Sequence, residues 1–480
     1  MKKRNKKLLF LACSREPKCA APLPPKQIKV FWFFFSKKNS SSVFDARIFA
    51  TALLIVSPVL VFYPGLINAD TLRMWANARD GGAAEDWHSP FLVFVFRLLQ
   101  HADLNIAVVT LSQSALYVLT LHFLLGRACI TGPRRIAVLA AVLAVPPTLT
   151  WLAAVEKTTI ASCLLCACFG LAVAMERADA ARKIHFGLML LAALAGAWTR
   201  PNGILLFAPI VIYATARAWW PSRRWMAGAI VAAYVVLWAA VPAIATSAGL
   251  IVPTHPEQAT MALDLLNISF EKNKDLLPPG VLTAPLSVVE PGMLAQPLPP
   301  YDGRFSTLAL RRAHMLNFDG DPAHAAALHA AWLRTILHYP LAYLRFRLAM
   351  FRAFNCFDSR IVCYDSWHWY TGGVDTPNSA GIVSHHVAVL FNLYKSLAGT
   401  IFYRPYFHAA LMLGLLAIAL WRRQHLIAVT AATLLLYYAS GLILLPGISV
   451  RMIVPLGLME PPLVIALITQ SYRRRKVVLF

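Results

Sequence analysis

Charge is what this chain has least of. Asp, Glu, Lys and Arg make up only 14% of its 480 residues, where soluble domains carry roughly 25%. Hydrophobic residues account for 58%. So little charge excludes an ordinary soluble protein and reads as a polytopic membrane protein. Acids are scarcer than bases, 22 against 45, which leaves a formal net charge of +23. That surplus invites a nucleic-acid reading, yet the basic residues sit in short clusters between apolar runs rather than on one polar domain. Positive charge beside a span is the ordinary mark of a cytoplasmic loop. The partner it implies is the lipid bilayer, not nucleic acid.

Two further absences narrow the chemistry. The eight cysteines show no metal-ligand spacing. Cys163, Cys166 and Cys168 fall in the apolar run TTIASCLLCACFGLAVAM, where cysteine behaves as a small hydrophobe. The CLLC spacing lacks the strand context of a redox motif. Cys356 and Cys363, in NCFDSRIVCYDS, lie in a polar region with six residues between them. That separation permits a disulfide if the region faces an oxidising compartment. No internal repeat is visible, which disfavours inverted-repeat transporter folds.

What the chain does have is a succession of apolar runs. A span needs about 20 apolar residues, and Lys/Arg clusters in the loops set its direction. Residues 1–43 read as a basic cytoplasmic tail, because the apolar stretch 8–12 is shorter than the 7–15 or so residues of a signal-peptide core. Ten spans follow, at 44–62, 105–125, 136–154, 158–174, 184–198, 203–216, 225–245, 407–421, 426–445 and 452–469, with basic clusters at alternate turns. Both termini then lie inside. Residues 44–248 form an N-terminal transmembrane module, 249–386 one large extracytoplasmic loop region, and 387–480 a C-terminal transmembrane module. Within the loop, AHAAALHAAWLRTILHYPLAYLRFRLAMFRAF has helical periodicity with arginines beside aromatics, the pattern of outward interfacial helices. Residues 387–403, interrupted by Lys395, read as another. The expected fold class is all-α, a polytopic bundle of about ten transmembrane helices.

On this threading the outer face collects the unusual polar residues. Asp70, Asp86 and His88 lie in the first loop, Arg200 between the fifth and sixth spans, and Arg451 before the last. The first loop, residues 63–90, reads YPGLINADTLRMWANARDGGAAEDWHSP. Pro64 and Gly65 stop the preceding helix. NADTLRMWANARDG then reads as a short helix capped by Asn68 or Asp70, and a second starts near Pro90. Each polar residue has a plainer reading beside the functional one. Asp70 can be a helix cap, Arg200 and Arg451 headgroup anchors, and His88 a structural hydrogen-bonding residue.

Three segments together carry a family likeness. YPGLINADTLRMW followed by WHSP resembles the first extracytoplasmic loop of GT-C-type glycosyltransferases, polytopic enzymes that use polyprenyl-phosphate-linked sugars. TRPNGILLF resembles the R-x-N-G segment at a later outward turn of the bacterial branch, and AWLRTILHYPLAYLRFRLAMF resembles the interfacial helix in the large loop. The likeness runs from about residue 44 to the end, and it lies in the order and common sidedness of short motifs.

The resemblance implies an inverting hexosyl- or pentosyltransferase of a bacterial inner membrane. It would move a sugar from a polyprenyl-phosphate donor to an envelope glycan, lipid or protein on the outer side. A general base must then take the acceptor proton from about 3 Å away, and Asp70 matches the family's acid after the Pro-Gly turn. The leaving lipid phosphate calls for cations, a role that falls to Arg200 and Arg451, while Asp86 and His88 would contact sugar or a divalent ion. The doubled acid of some branches is missing, so a divalent metal stays possible and no metal ligand is assigned. The rival class is a transporter or flippase of a lipid-linked saccharide. Spans nearly free of Asp and Glu, with acids in outward loops, favour chemistry at the surface.

Overall fold

The computed structural model describes residues 42–86, 88–176, 182–200, 202–219, 223–283, 285–289, 316, 321–355, 357, 400–444 and 450–478. The chain divides into two compact units, Met1–Ala46 and Arg47–Phe480, and all that follows, apart from the first residues of one helix, belongs to the second. Cys356, Cys363 and nearly all of 387–403 lie outside the described residues, and so do the expected disulfide and that interfacial helix.

The described chain is overwhelmingly helical. Among the described residues four helices are long and apolar enough to cross a membrane: α4 (Ala107–Arg127), α7 (Lys157–Met175), α10 (Arg224–Ser247) and α15 (His425–Leu444). The remaining stretches read as spans are also helical, but their apolar parts are shorter or broken. They are α1 (Ser42–Phe62), α8 (Arg182–Trp198), α9 (Ile204–Trp219), α14 (Pro405–Trp421) and the first two-thirds of α16 (Val454–Val478). The run 136–154 is not one straight helix. It divides into α5 (Pro133–Ala144) and α6 (Pro146–Ala153), bent by 81°. Val145 takes the extended conformation, φ −63° and ψ 118°, as a residue before proline prefers.

Helix α7 forms the middle of the core. It packs against α4, α8, α9 and α16, and most of its residues are buried. Cys163, Cys166 and Cys168 are free thiols wholly inside this packing. They pack as hydrophobes.

Two short parallel pairings pin the polar segments to one end of the bundle. β1 (Leu66–Ile67) pairs with β3 (Ala154–Val155), and β2 (Ala84–Glu85) pairs with β4 (Ile251–Val252). Between them stand α2 (Ala69–Asp80) and α3 (Pro90–His101), which share a small core of Ile67, Met74, Ala78, Leu92, Val93, Phe96 and Val155.

The region expected as a large loop is better built than a loop where it is described. α11 (Gln258–Lys272), α12 (Pro322–His338) and α13 (Pro340–Phe354) pack together, with Ala262, Leu265, Leu266 and Leu328 forming a core between the first two. Asp264 and Arg347, both essentially unexposed, meet inside this layer at 2.6 Å, and Trp332 Nε1 donates to the same carboxylate oxygen at 2.8 Å. The Tyr438 hydroxyl donates to Asn355 Oδ1, tying the end of α13 to α15.

Candidate functional site

The first turn of α7 is where the outward segments meet. Glu156 precedes it in extended conformation, φ −142° and ψ 145°, with no side-chain cap. The helix therefore presents its first amides and the positive end of its dipole without a local acceptor from that cap.

Asp70 reaches this turn from α2. Asn68 is the residue that caps α2: its Oδ1 accepts from the Thr71 amide at 2.8 Å. The cap reading of Asp70 is thereby answered, since Asp70 stands in the first helical turn beyond the cap. Its carboxylate lies 3.7 Å from Lys157 Nζ, both side chains being mostly buried. The Thr71 hydroxyl contacts Asn68 Oδ1 and the Val155 carbonyl, so the start of α2 is stitched directly to β3.

The turn that starts this arrangement demands glycine. Gly65 has φ 140°, and a Cβ there would meet the Thr110 hydroxyl, Val155 Cγ2 at 2.9 Å and the Ala153 carbonyl at 3.1 Å. Thr110 Oγ1 donates to the Pro64 carbonyl at 3.1 Å. The Pro-Gly pair thus seats the first loop against α4 and β3 at close range.

Arg200 arrives from the other side. One guanidinium nitrogen donates to Thr158 Oγ1, and the other lies 3.7 Å from Met452 Sδ. Its Cζ sits 5.8 Å from the Tyr437 ring centroid, a cation–π distance. Thr158 Oγ1 in turn donates to Glu156 Oε1 at 3.1 Å. A charged array therefore alternates around one helix start: Asp70, Lys157, Glu156 and, through Thr158, Arg200. Basic residues close the opposite ends of these helices, with Arg127 donating to the Val173 carbonyl and Arg182 to the Arg217 carbonyl, each at 3.3 Å.

The structure gathers some expected site residues and separates others. Asp70 and Arg200 converge on the α7 turn. Asp86 does not join them: its Oδ1 accepts from the Thr254 amide at 2.6 Å and from Thr254 Oγ1 at 2.5 Å, which clamps the β2–β4 connection. His88 is 3% exposed, in the turn before α3, with its amide on the Glu85 carbonyl. Arg451 belongs to the 3-10 turn Val450–Ile453, but its side chain lies outside the described residues.

Two members of the array escaped sequence reasoning. They are Glu156 and Lys157, in the short outward turn between the runs 136–154 and 158–174. The missed signal was that so short a turn, AVEKTT, cannot carry its carboxylate far from the apolar runs on both sides. Glu156 is in fact 2% exposed. Among the described residues no group of three or more His, Cys, Asp and Glu side chains gathers as a metal site. Comparison with protein-family models, curated proteins and solved structures found no match to the chain.

Proposed function

We propose that this protein is a membrane glycosyltransferase that takes a sugar from a polyprenyl-phosphate donor and passes it, with inversion, to an extracytoplasmic glycan, lipid or protein. The observation that carries the reading is the convergence of Asp70 and Arg200 on the first turn of α7. Inverting transfer asks for a carboxylate to accept a proton and for fixed cations beside the departing phosphate. The array offers both within one helix turn, and the helix dipole adds to its attraction for an anion. Lys157, paired with Asp70, supplies a second cation and holds the carboxylate in place.

On this proposal ten helical segments cross the inner membrane, both termini are cytoplasmic, and the α7 turn faces outward. Asp86 and His88 shape the first loop rather than grip the donor. The test is purified protein in nanodiscs offered a panel of polyprenyl-phosphate sugars, with transfer followed by mass spectrometry. Failure to transfer or bind any of them would sink the proposal.

One observation favours the rival, a transporter of a lipid-linked saccharide. Glu460, inside the segment read as the last span, pairs with His408 of α14 at 2.8 Å. Ionisable residues inside a bundle commonly mark transport paths. Flipping of a labelled lipid-linked sugar in proteoliposomes, without sugar transfer, would decide for that rival.

A further inference from the structure

We infer that His408 and Glu460 share one proton in a buried latch holding the start of α14 against α16, and that this latch positions Arg200. The second half rests on the phosphate-binding role proposed for Arg200.

The hydrogen bonds require the proton. His408 Nε2 lies 2.7 Å from the Phe402 carbonyl oxygen. A carbonyl can only accept, so Nε2 carries a hydrogen and donates it. The other ring nitrogen, Nδ1, lies 2.8 Å from Glu460 Oε1. Two bare lone pairs cannot stand at that distance, so a hydrogen lies between them. Either an imidazolium donates to a carboxylate, or a carboxylic acid donates to a neutral ring. Both forms hold the same number of protons and are neutral overall, which suits side chains only 4% and 15% exposed.

The surroundings make the latch a joint. Pro461 and Pro462 stand inside α16 directly after Glu460. Lacking amide hydrogens, they leave the Gly457 and Leu458 carbonyls without their helical donors. A side-chain tie at Glu460 therefore acts where the backbone ladder is weakest. At Gly457 a Cβ would collide with the Trp151 ring and come within 3.2 Å of His408 Cε1. His408 is thus held beside Trp151, whose ring centroid is 5.6 Å away.

Both neighbours lead to the α7 turn. Trp151 belongs to α6, which runs through β3 into Glu156. The start of α16 is preceded by Met452, the residue against Arg200. Loss of the latch frees both walls of the site without removing a group from it. His408 and Glu460 are positioning residues.

The test uses the full-length protein in nanodiscs, with two readouts. In ¹⁵N-histidine NMR, His408 is expected to carry hydrogen on Nε2 and a strong hydrogen bond at Nδ1. Glu460→Gln should keep the Nε2 hydrogen on a neutral ring, its amide taking the acid's place as donor. A bare Nε2 in the wild type would overturn the latch. The second readout is binding of a short-chain polyprenyl phosphate, with the matching polyprenol as control. Wild type and Glu460→Gln should bind alike. The double variant His408→Leu/Glu460→Leu replaces the pair by apolar groups, which a buried site tolerates for folding, and should bind about tenfold more weakly or worse. Equal affinity in all three would overturn the positioning role. No binding by the wild type would overturn the role of Arg200, while the NMR result still decides the latch.

Discussion

At the scale of single residues, Asp70 separates the proposed enzyme from its rival. Asp70→Asn keeps size and much of the hydrogen bonding but cannot take a proton. Loss of general-base help costs roughly 10²–10⁴-fold in rate, so turnover should fall by that range while polyprenyl-phosphate binding survives. Because Asn68 caps α2, the substitution leaves the cap untouched, and unchanged thermal stability is expected beside the lost activity. Near-normal transfer by Asp70→Asn would remove it as base and turn attention to Glu156. Asp86, clamped on Thr254, would be the wrong place to look.

The buried Asp264–Arg347 pair supports a different prediction, about stability. Burial pushes the Asp264 carboxyl above the ordinary carboxylate value, and the Arg347 charge and hydrogen bonds oppose this without cancelling it. A raised folded value means that the group's contribution is complete below its unfolded pKa of about 3.9 and declines as pH rises through the folded value. Arg347→Met removes the opposing charge and leaves a buried acid alone, a change that typically costs about 3–5 kcal/mol. The cost should grow as pH rises above about 4. Denaturant unfolding of the α11–α13 layer, followed by hydrogen exchange at several pH values, measures it. A variant equally stable at every pH would contradict the pairing.

Among elements, the start of α2 decides whether Asp70 is held in place. Asn68→Ala removes the acceptor for the Thr71 amide, and losing such a cap costs about 1 kcal/mol. Faster amide exchange is expected across the first turn of α2, together with reduced activity that Asn68→Asp restores, since aspartate caps as well as asparagine. Activity unmoved by Asn68→Ala would mean that the β1–β3 pairing alone seats the turn. The two surface helices of the first loop were visible in the sequence because proline, glycine and cap residues punctuate them. The bend between α5 and α6 was missed, because the apolar run 136–154 masked the signal of Pro146 and Pro147. α12 and α13 were legible as helices from their periodicity, whereas their packing on α11 was not, because the Asp264–Arg347 and Asp264–Trp332 contacts that join them link residues far apart in the chain.

For the whole molecule, the prediction concerns sidedness. Asp80, at the exposed end of α2, and Cys129, exposed after α4, belong to opposite ends of the bundle on the proposed topology. A membrane-impermeant maleimide added to intact cells should modify cysteine placed at Asp80. Cys129 should react only after the membrane is opened. Reversed labelling, read by peptide mass mapping, would turn the α7 turn toward the cytoplasm and remove it from any outward chemistry.

Composition and the spacing of apolar runs were enough to establish an all-α membrane protein, because burial in lipid and helix length are properties of contiguous sequence. Local punctuation marked the first loop for the same reason: a cap, a Pro-Gly turn and a helix stop act over a few residues. Which polar groups meet was decided by folding alone. Asp70 and Lys157 are far apart in the chain, Arg200 and Met452 farther, and His408 and Glu460 lie on separate helices. Their convergence depends on how α4, α6, α7, α14 and α16 pack, and packing follows from shape and close contact between distant side chains. No run of neighbouring residues encodes that. Asp86 shows the consequence: like Asp70 it is an acid of the first loop, and the amide and hydroxyl of Thr254, 168 residues away, made it a clamp.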